Sequence, residues 1–201
     1  VKPTGSITNL LRYPRELLLV VGLTAGGTAA FYTFTTYMQT FVKLSVGLTE
    51  DQTTLVIFGT LIFATILQPI YGAISDKIGR RNMYLIGVVL MGLFGFLYFG
   101  MVDTAIPVLV FIAITLSLIP HDLLYGPQAA LIAESFKPNL RYSGASLGYQ
   151  LASIVAGGPA PLIATALLAT FGSGYAVGVY LVLCGLVSAV VVVVGTWRGV
   201  G

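Results

Sequence analysis

Six apolar stretches, each long enough to cross a bilayer and joined by short connections, constrain this chain more than any other feature. They lie near residues 17–41, 53–74, 83–101, 105–134, 143–170 and 175–197. An α-helix rises 1.5 Å per residue, so about twenty residues span the roughly 30 Å hydrocarbon core. Charged residues make up 8% of the 201 residues and apolar residues 57%, whereas an ordinary soluble domain carries about 25% charge. That is too little charge to cover a water-soluble globule of this size, so lipid is the expected solvent. The expected fold class is an all-α membrane protein with six transmembrane helices.

No connection has the length or composition of a soluble domain, and no low-complexity tract occurs. The expected organisation is a lead-in over residues 1–16, a six-helix bundle over 17–197 and a tail over 198–201. The chain begins at Val1 and lacks the layout of a secretory signal, which leads to the expectation that its true start lies further upstream. Orientation follows from the basic residues. Lys2, Arg12, Arg15, Lys77, Arg80, Arg81, Lys137, Arg141 and Arg198 fall on one face of a six-span topology, and Lys43 alone falls on the other. The positive-inside rule makes the crowded face cytoplasmic, together with both termini, in an inner (plasma) membrane. The net charge of +3 therefore reports topology and points to no nucleic-acid partner. A single cysteine, Cys184, allows no internal disulfide.

The connection at residues 72–81, GAISDKIGRR, places Asp76, Lys77, Arg80 and Arg81 between two apolar runs. It has the form G-x-x-x-D-[RK]-x-G-R-[RK] and is expected to reverse the chain within about ten residues. Gly72 would let helix ends approach and Gly79 would permit the tight turn. This stretch resembles the signature loop of the major facilitator superfamily. Within that superfamily, GTAAFYTFTTYMQTF (27–41) resembles the seventh helix of the metabolite:proton symporters, the group of shikimate, 2-oxoglutarate, citrate and proline/betaine permeases. LLYGPQAALIAESFKPNLRYSGASLGYQLASI (123–154) resembles their tenth helix, its cytoplasmic loop and the eleventh helix. The resemblance implies a C-terminal bundle, one half of a twelve-span fold, whose partners are membrane lipid, a small-molecule substrate with a proton, and a missing N-terminal half. In such proteins the substrate sits near the midplane between halves that rock against each other.

The fourth apolar stretch carries the residues costliest to bury in lipid. His121 and Asp122 lie near its middle, where an ionised Asp costs about 2.5 to 3.5 kcal/mol on insertion scales. Ser117, His121, Tyr125 and Gln128 follow helical spacing and are expected to converge on a central cavity, with Asp122 pointing about 100° away. His121 is a candidate substrate group and, with Asp122, a proton relay. The alternative is a span kinked at Pro120 whose freed carbonyl is met by neighbouring polar groups. In the first stretch Thr28, Tyr32, Thr36 and Gln39 form a polar stripe, from which Tyr32 and Gln39 are candidate substrate contacts; interhelical hydrogen bonding is the alternative. In the fifth, Ser146, Gln150, Ser153 and Gly157 form another, read mainly as close packing, with Gln150 the candidate contact. GGPAP at 157–161 is expected to break that span.

The resemblance further implies a gating cluster on the cytoplasmic face, comprising Asp76, Arg80, Arg81, Glu134 and Arg141. Glu134 and Arg141 have E-x6-R spacing; Glu134 is expected to pair with Arg80 or Arg81, and Asp76 to cap a helix of the absent half. Ordinary positive-inside topology is the alternative for all five. With one His, one Cys, no H-E-x-x-H and no aspartate pair within the spans, neither a metal site nor an enzymatic dyad is expected, and no cofactor. The reading is half of a secondary active transporter, coupling a small organic acid or zwitterionic metabolite to a proton by alternating access. The competing reading is a six-span homodimeric carrier or channel.

Overall fold

The computed structural model describes residues 13–37, 49–104, 106–136 and 141–195, and among these residues it contains helices and turns and no strand. Helix α1, Pro14–Tyr32, starts on a proline whose missing N–H costs nothing in a first turn, and it continues into a wider π-helical turn, Thr33–Tyr37. α2 is Glu50–Ile78. Thr49 caps it reciprocally: Gln52 N donates to Thr49 Oγ1 at 3.3 Å and Thr49 N to Gln52 Oε1 at 3.1 Å. Glu50 and Asp51 then complement the positive end of its dipole. α3 (Arg80–Val102), α4 (Pro107–Glu134), α5 (Arg141–Ala152), α6 (Ala160–Phe171) and α7 (Gly174–Gly195) follow.

Six helical stretches are long and apolar enough to cross a membrane, with α5 and α6 forming one interrupted span. The interruption falls where GGPAP predicts it. A π-helical turn, Ser153–Gly157, is closed by Gly158 N donating to Ser153 O at 2.8 Å, and Pro159, which has no N–H, sits at the N-cap of α6.

The signature stretch differs from its expected form. Residues 72–78 are helical, and the whole reversal between α2 and α3 takes one residue, Gly79, at φ +92°. Nothing between Gly72 and Gly79 breaks a helix, and Lys77 in the last turn favours its negative end. At Gly72 itself a Cβ meets nothing within 4 Å among the described residues. The close approach is made by Gly126 on α4, where a Cβ would lie 3.3 Å from the Gly72 amide nitrogen.

Around the bundle, α3 packs most extensively on α4 and α7, α7 also on α1, α1 on α5, and α2 at the edge on α4. Aromatic and long apolar side chains fill the core: Tyr84, Tyr98, Phe99, Met91 and Leu124 are essentially inaccessible. Small residues set the helix crossings; at Gly26 of α1 a Cβ would stand 3.2 Å from the Gly185 Cα of α7. α2 buries mainly Thr53, Thr60, Ala64 and Ser75, and turns Leu55, Phe58, Ile62 and Ile66 outward. Such an inverted pattern suits a helix whose far side meets lipid or another apolar span.

Candidate functional site

A cavity of about 280 Å³ lies between α4 and α5, lined by Tyr125, Gln128, Ala129, Ile132, Ala145 and Tyr149. Helical spacing puts residues 125, 128, 129 and 132 on one face of α4 and residues 145 and 149 one turn apart on α5. The two alanines leave the space that the larger side chains enclose. Tyr149 and Tyr125 face the same cavity from α5 and α4, and Tyr32 of α1 lies within electrostatic reach of Tyr149. Gln128 is 3% exposed, and its Oε1 faces Gly27 of α1 with no hydrogen-bond partner among the described residues.

One turn below Tyr125 sits a buried pair. His121 Nδ1 lies 3.1 Å from Asp122 Oδ1, and the two residues are 4% and 0% exposed. Adjacent residues on a helix diverge by about 100°, yet these side chains bend toward each other, and the second carboxylate oxygen, Asp122 Oδ2, has no hydrogen-bond partner among the described residues. Tyr71 of α2 is electrostatically coupled to Asp122. The imidazole is stacked on Tyr125 (centroids 5.6 Å, planes 20° apart) and tilted against Phe31 of α1 at 5.3 Å. The pair is therefore continuous with the cavity wall through a ring contact.

The expected convergence of four α4 residues holds for two of them at the cavity. Tyr125 and Gln128 line it, His121 supports Tyr125 from below, and Ser117 turns away, its hydroxyl donating to Ile114 O at 2.7 Å. Short Ser side chains on membrane helices readily bond back to their own backbone. Tyr32 is half-buried, edge-on to Phe31, and with Thr28 it packs on Gly157, where a Cβ would come within 2.7 Å of its ring. Gln150 is exposed and does not line the cavity; the α5 contribution comes from Tyr149 and Ala145, one position back around the helix. Tyr149 was legible only as an aromatic beside the polar line, because periodicity alone does not say which α5 face meets α4. Gln39 falls outside the described residues.

At the end of the bundle, Arg80 links two helices. Its Nε and Nη2 donate to Asp76 Oδ1 at 3.2 and 3.1 Å, and its Nη1 donates to Glu134 at the end of α4. All three side chains are more than a third exposed. Asp76 thus holds the arginine that reaches Glu134. Arg81 is half-buried, its Nε without a hydrogen-bond partner among the described residues, and Arg141 is exposed. Among the described residues no three His, Cys, Asp or Glu side chains converge as a metal would require.

Six bilayer-length helices, a cavity walled by aromatic rings and a charged cluster joining two spans define a polytopic membrane-helix bundle. Residues 17–199 match the Major Facilitator Superfamily, and the chain belongs to it. It is 33% identical over 187 residues to the shikimate transporter of Escherichia coli (strain K12), covering 91% of this chain and 42% of that protein. Against the alpha-ketoglutarate permease of the same strain it is 32% identical over 168 residues, covering 83% and 39% respectively. Against that strain's proline/betaine transporter it is 26% identical over 146 residues, covering 73% and 29%. The chain thus spans about two-fifths of the length of the first two relatives. These relatives are transporters, not enzymes, and no solved structure matches.

Proposed function

We propose that this chain is the C-terminal half of a proton-coupled symporter for a small organic acid or zwitterionic metabolite, with both termini cytoplasmic. The observation that carries this reading is the buried His121–Asp122 pair in ring contact with the cavity. An ionised aspartate at the centre of a membrane helix costs about 2.5 to 3.5 kcal/mol on insertion scales. With one added proton the pair is net neutral; without it the pair carries one negative charge. The two states differ in how readily they tolerate a dry surrounding, so protonation biases the equilibrium between inward-facing and outward-facing forms.

The cavity supplies the Tyr125 and Tyr149 hydroxyls and the Gln128 amide as hydrogen-bonding groups, with aromatic faces for the apolar part of a ligand. Among the described residues no Lys or Arg lies deep in a span. A substrate carboxylate therefore meets its cationic partner in the N-terminal half or in protonated His121. The names of the relatives supply the test compounds: shikimate, 2-oxoglutarate, proline and betaine. The Arg80 latch forms in one conformation and opens in the other, biasing the same equilibrium.

The test uses the full-length protein in proteoliposomes, with uptake of each labelled compound driven by an inward proton gradient. Asp122→Asn is expected to lose gradient-driven accumulation by tenfold or more while retaining substrate counterflow, and His121→Ala to lose the same accumulation. Wild-type accumulation in both variants, at all values of pH, would remove the pair from the coupling mechanism.

A further inference from the structure

Asp122 has two carboxylate oxygens and, on its own helix, a partner for one of them. The residue is 0% exposed, its Oδ1 lies 3.1 Å from His121 Nδ1, and its Oδ2 has no hydrogen-bond partner among the described residues. Leaving a buried carboxylate oxygen unmet is costly, most of all in a medium without water. The missing donor has to come from a neighbouring helix.

The crossing of α2 and α4 brings one close. At Gly126 of α4 a Cβ would lie 3.3 Å from Gly72 N and 3.5 Å from both the carbonyl carbon and the Cβ of Tyr71, so glycine at position 126 lets Tyr71 come against α4. The C-terminal ends of the two helices also meet, because Arg80, just past the end of α2, reaches Glu134 at the end of α4. The two helices therefore run in the same direction. Helical side chains lean toward the N-terminus of their own helix, so Tyr71 leans back from the crossing in the direction in which Asp122 lies, one turn before Gly126 on the same face of α4. The electrostatic coupling of Tyr71 to Asp122 agrees with that placement. On the other elements packed against α4, Tyr84 of α3 donates to Leu23 O and Tyr98 packs on Phe34. Tyr149 of α5 lines the cavity, Tyr32 of α1 packs on Phe31 and Gly157, and Arg80 is bonded to Asp76 and Glu134.

We infer that the Tyr71 hydroxyl is the second partner of Asp122, donating to Oδ2 when the carboxylate is ionised and so allowing the proton to leave. The inference rests on the coupling reading given above and adds a group on α2 to it. A hydrogen bond to the charged form of an acid favours that form, whereas an aspartate deep in an apolar surrounding keeps its proton. Without the phenol, Asp122 would load a proton and fail to release it: exchange of substrate would continue, and net uphill transport would stop. Tyr71 is thus a positioning residue for the proton-carrying carboxylate; it is not part of the cavity lining.

Uptake of labelled shikimate, 2-oxoglutarate, proline and betaine by the full-length protein in proteoliposomes, with Tyr71→Phe measured beside Asp122→Asn, tests this. Tyr71→Phe should lower gradient-driven accumulation about tenfold or more, as loss of a hydrogen bond to a charged group predicts, with substrate counterflow and its KM unchanged. A general loss of fold would not spare counterflow. Wild-type accumulation by Tyr71→Phe beside a defective Asp122→Asn overturns the role of Tyr71 and leaves the coupling reading standing; wild-type accumulation by both overturns the two together. A defect in Tyr71→Phe with Asp122→Asn intact also overturns the inference, because Tyr71 would then not act through Asp122. Should none of the four compounds be carried, or Tyr71→Phe fail to insert, a ring-fluorinated tyrosine at position 71, which keeps the shape and the hydroxyl, decides. Its fluorine resonance should move when Asp122→Asn is added, and a resonance that stays in place overturns the pairing.

Discussion

Gly26→Ala, compared with Gly59→Ala, isolates the energy of the α1–α7 crossing. At position 26 the new methyl would stand 2.8 Å from Ser188 Oγ, 3.1 Å from Cys184 O and 3.2 Å from Gly185 Cα. Two of those atoms are backbone and cannot rotate away. Optimal carbon–carbon contact is about 3.5 to 4.0 Å, so the helices must part by roughly half an ångström. Overpacking of this kind costs about 1 to 3 kcal/mol, against a helix-propensity gain of up to about 1 kcal/mol for replacing glycine. The net expectation for Gly26→Ala is a loss of up to about 2 kcal/mol. Among the described residues nothing lies within 4 Å of the Cβ position of Gly59 on α2, so its alanine variant keeps the gain of about 0.5 to 1 kcal/mol. Unfolding of the full-length protein in mixed micelles by increasing SDS fraction, followed by circular dichroism, reads both. The midpoint should fall for Gly26→Ala and rise for Gly59→Ala. Equal midpoints, or a more stable Gly26→Ala, would refute the close crossing.

Two further outcomes follow from the cavity and the latch. Tyr149→Phe removes a neutral hydroxyl from the cavity wall; a hydrogen bond from it to substrate contributes about 0.5 to 1.5 kcal/mol, so the KM for uptake should rise between about twofold and tenfold, and an unchanged KM would take Tyr149 out of the substrate wall. Glu134→Gln breaks the inter-helix part of the Arg80 cluster, whose partners are 39% and 56% exposed. Exposed pairs contribute about 0.2 to 1 kcal/mol, so alkylation of a cysteine introduced at Ala129 should accelerate by no more than about fivefold, with the difference fading at high salt. Identical alkylation rates at low salt would exclude a gating contribution from this pair.

Much of the local structure was readable along the chain because it depends on local chemistry. Gly79 reverses the chain at positive φ, as its place between two apolar runs foretold. The GGPAP stretch breaks the fifth span because proline lacks the N–H that would continue it. Glu134 meets Arg80, one of its two expected partners. Other features were misjudged from spacing. Gly72 was assigned a close approach that Gly126 makes in its stead. The angular separation of His121 and Asp122 suggested divergence, but flexible side chains close that gap to 3.1 Å. The polar line through Gln150 drew attention from Tyr149, which lines the cavity.

The apolar solvent and the count of six membrane-length stretches were thus determined by the sequence alone, because hydropathy is summed along one dimension. The rotation of each helix about its own axis was decided only by tertiary packing. A hydroxyl at position 188 finds its partners at positions 22 and 26, and an alanine at 145 opens space beside one at 129. Such matches depend on how small residues let distant helices approach, and lipid, being as apolar as the side chains themselves, exerts little force of its own to choose among the rotations.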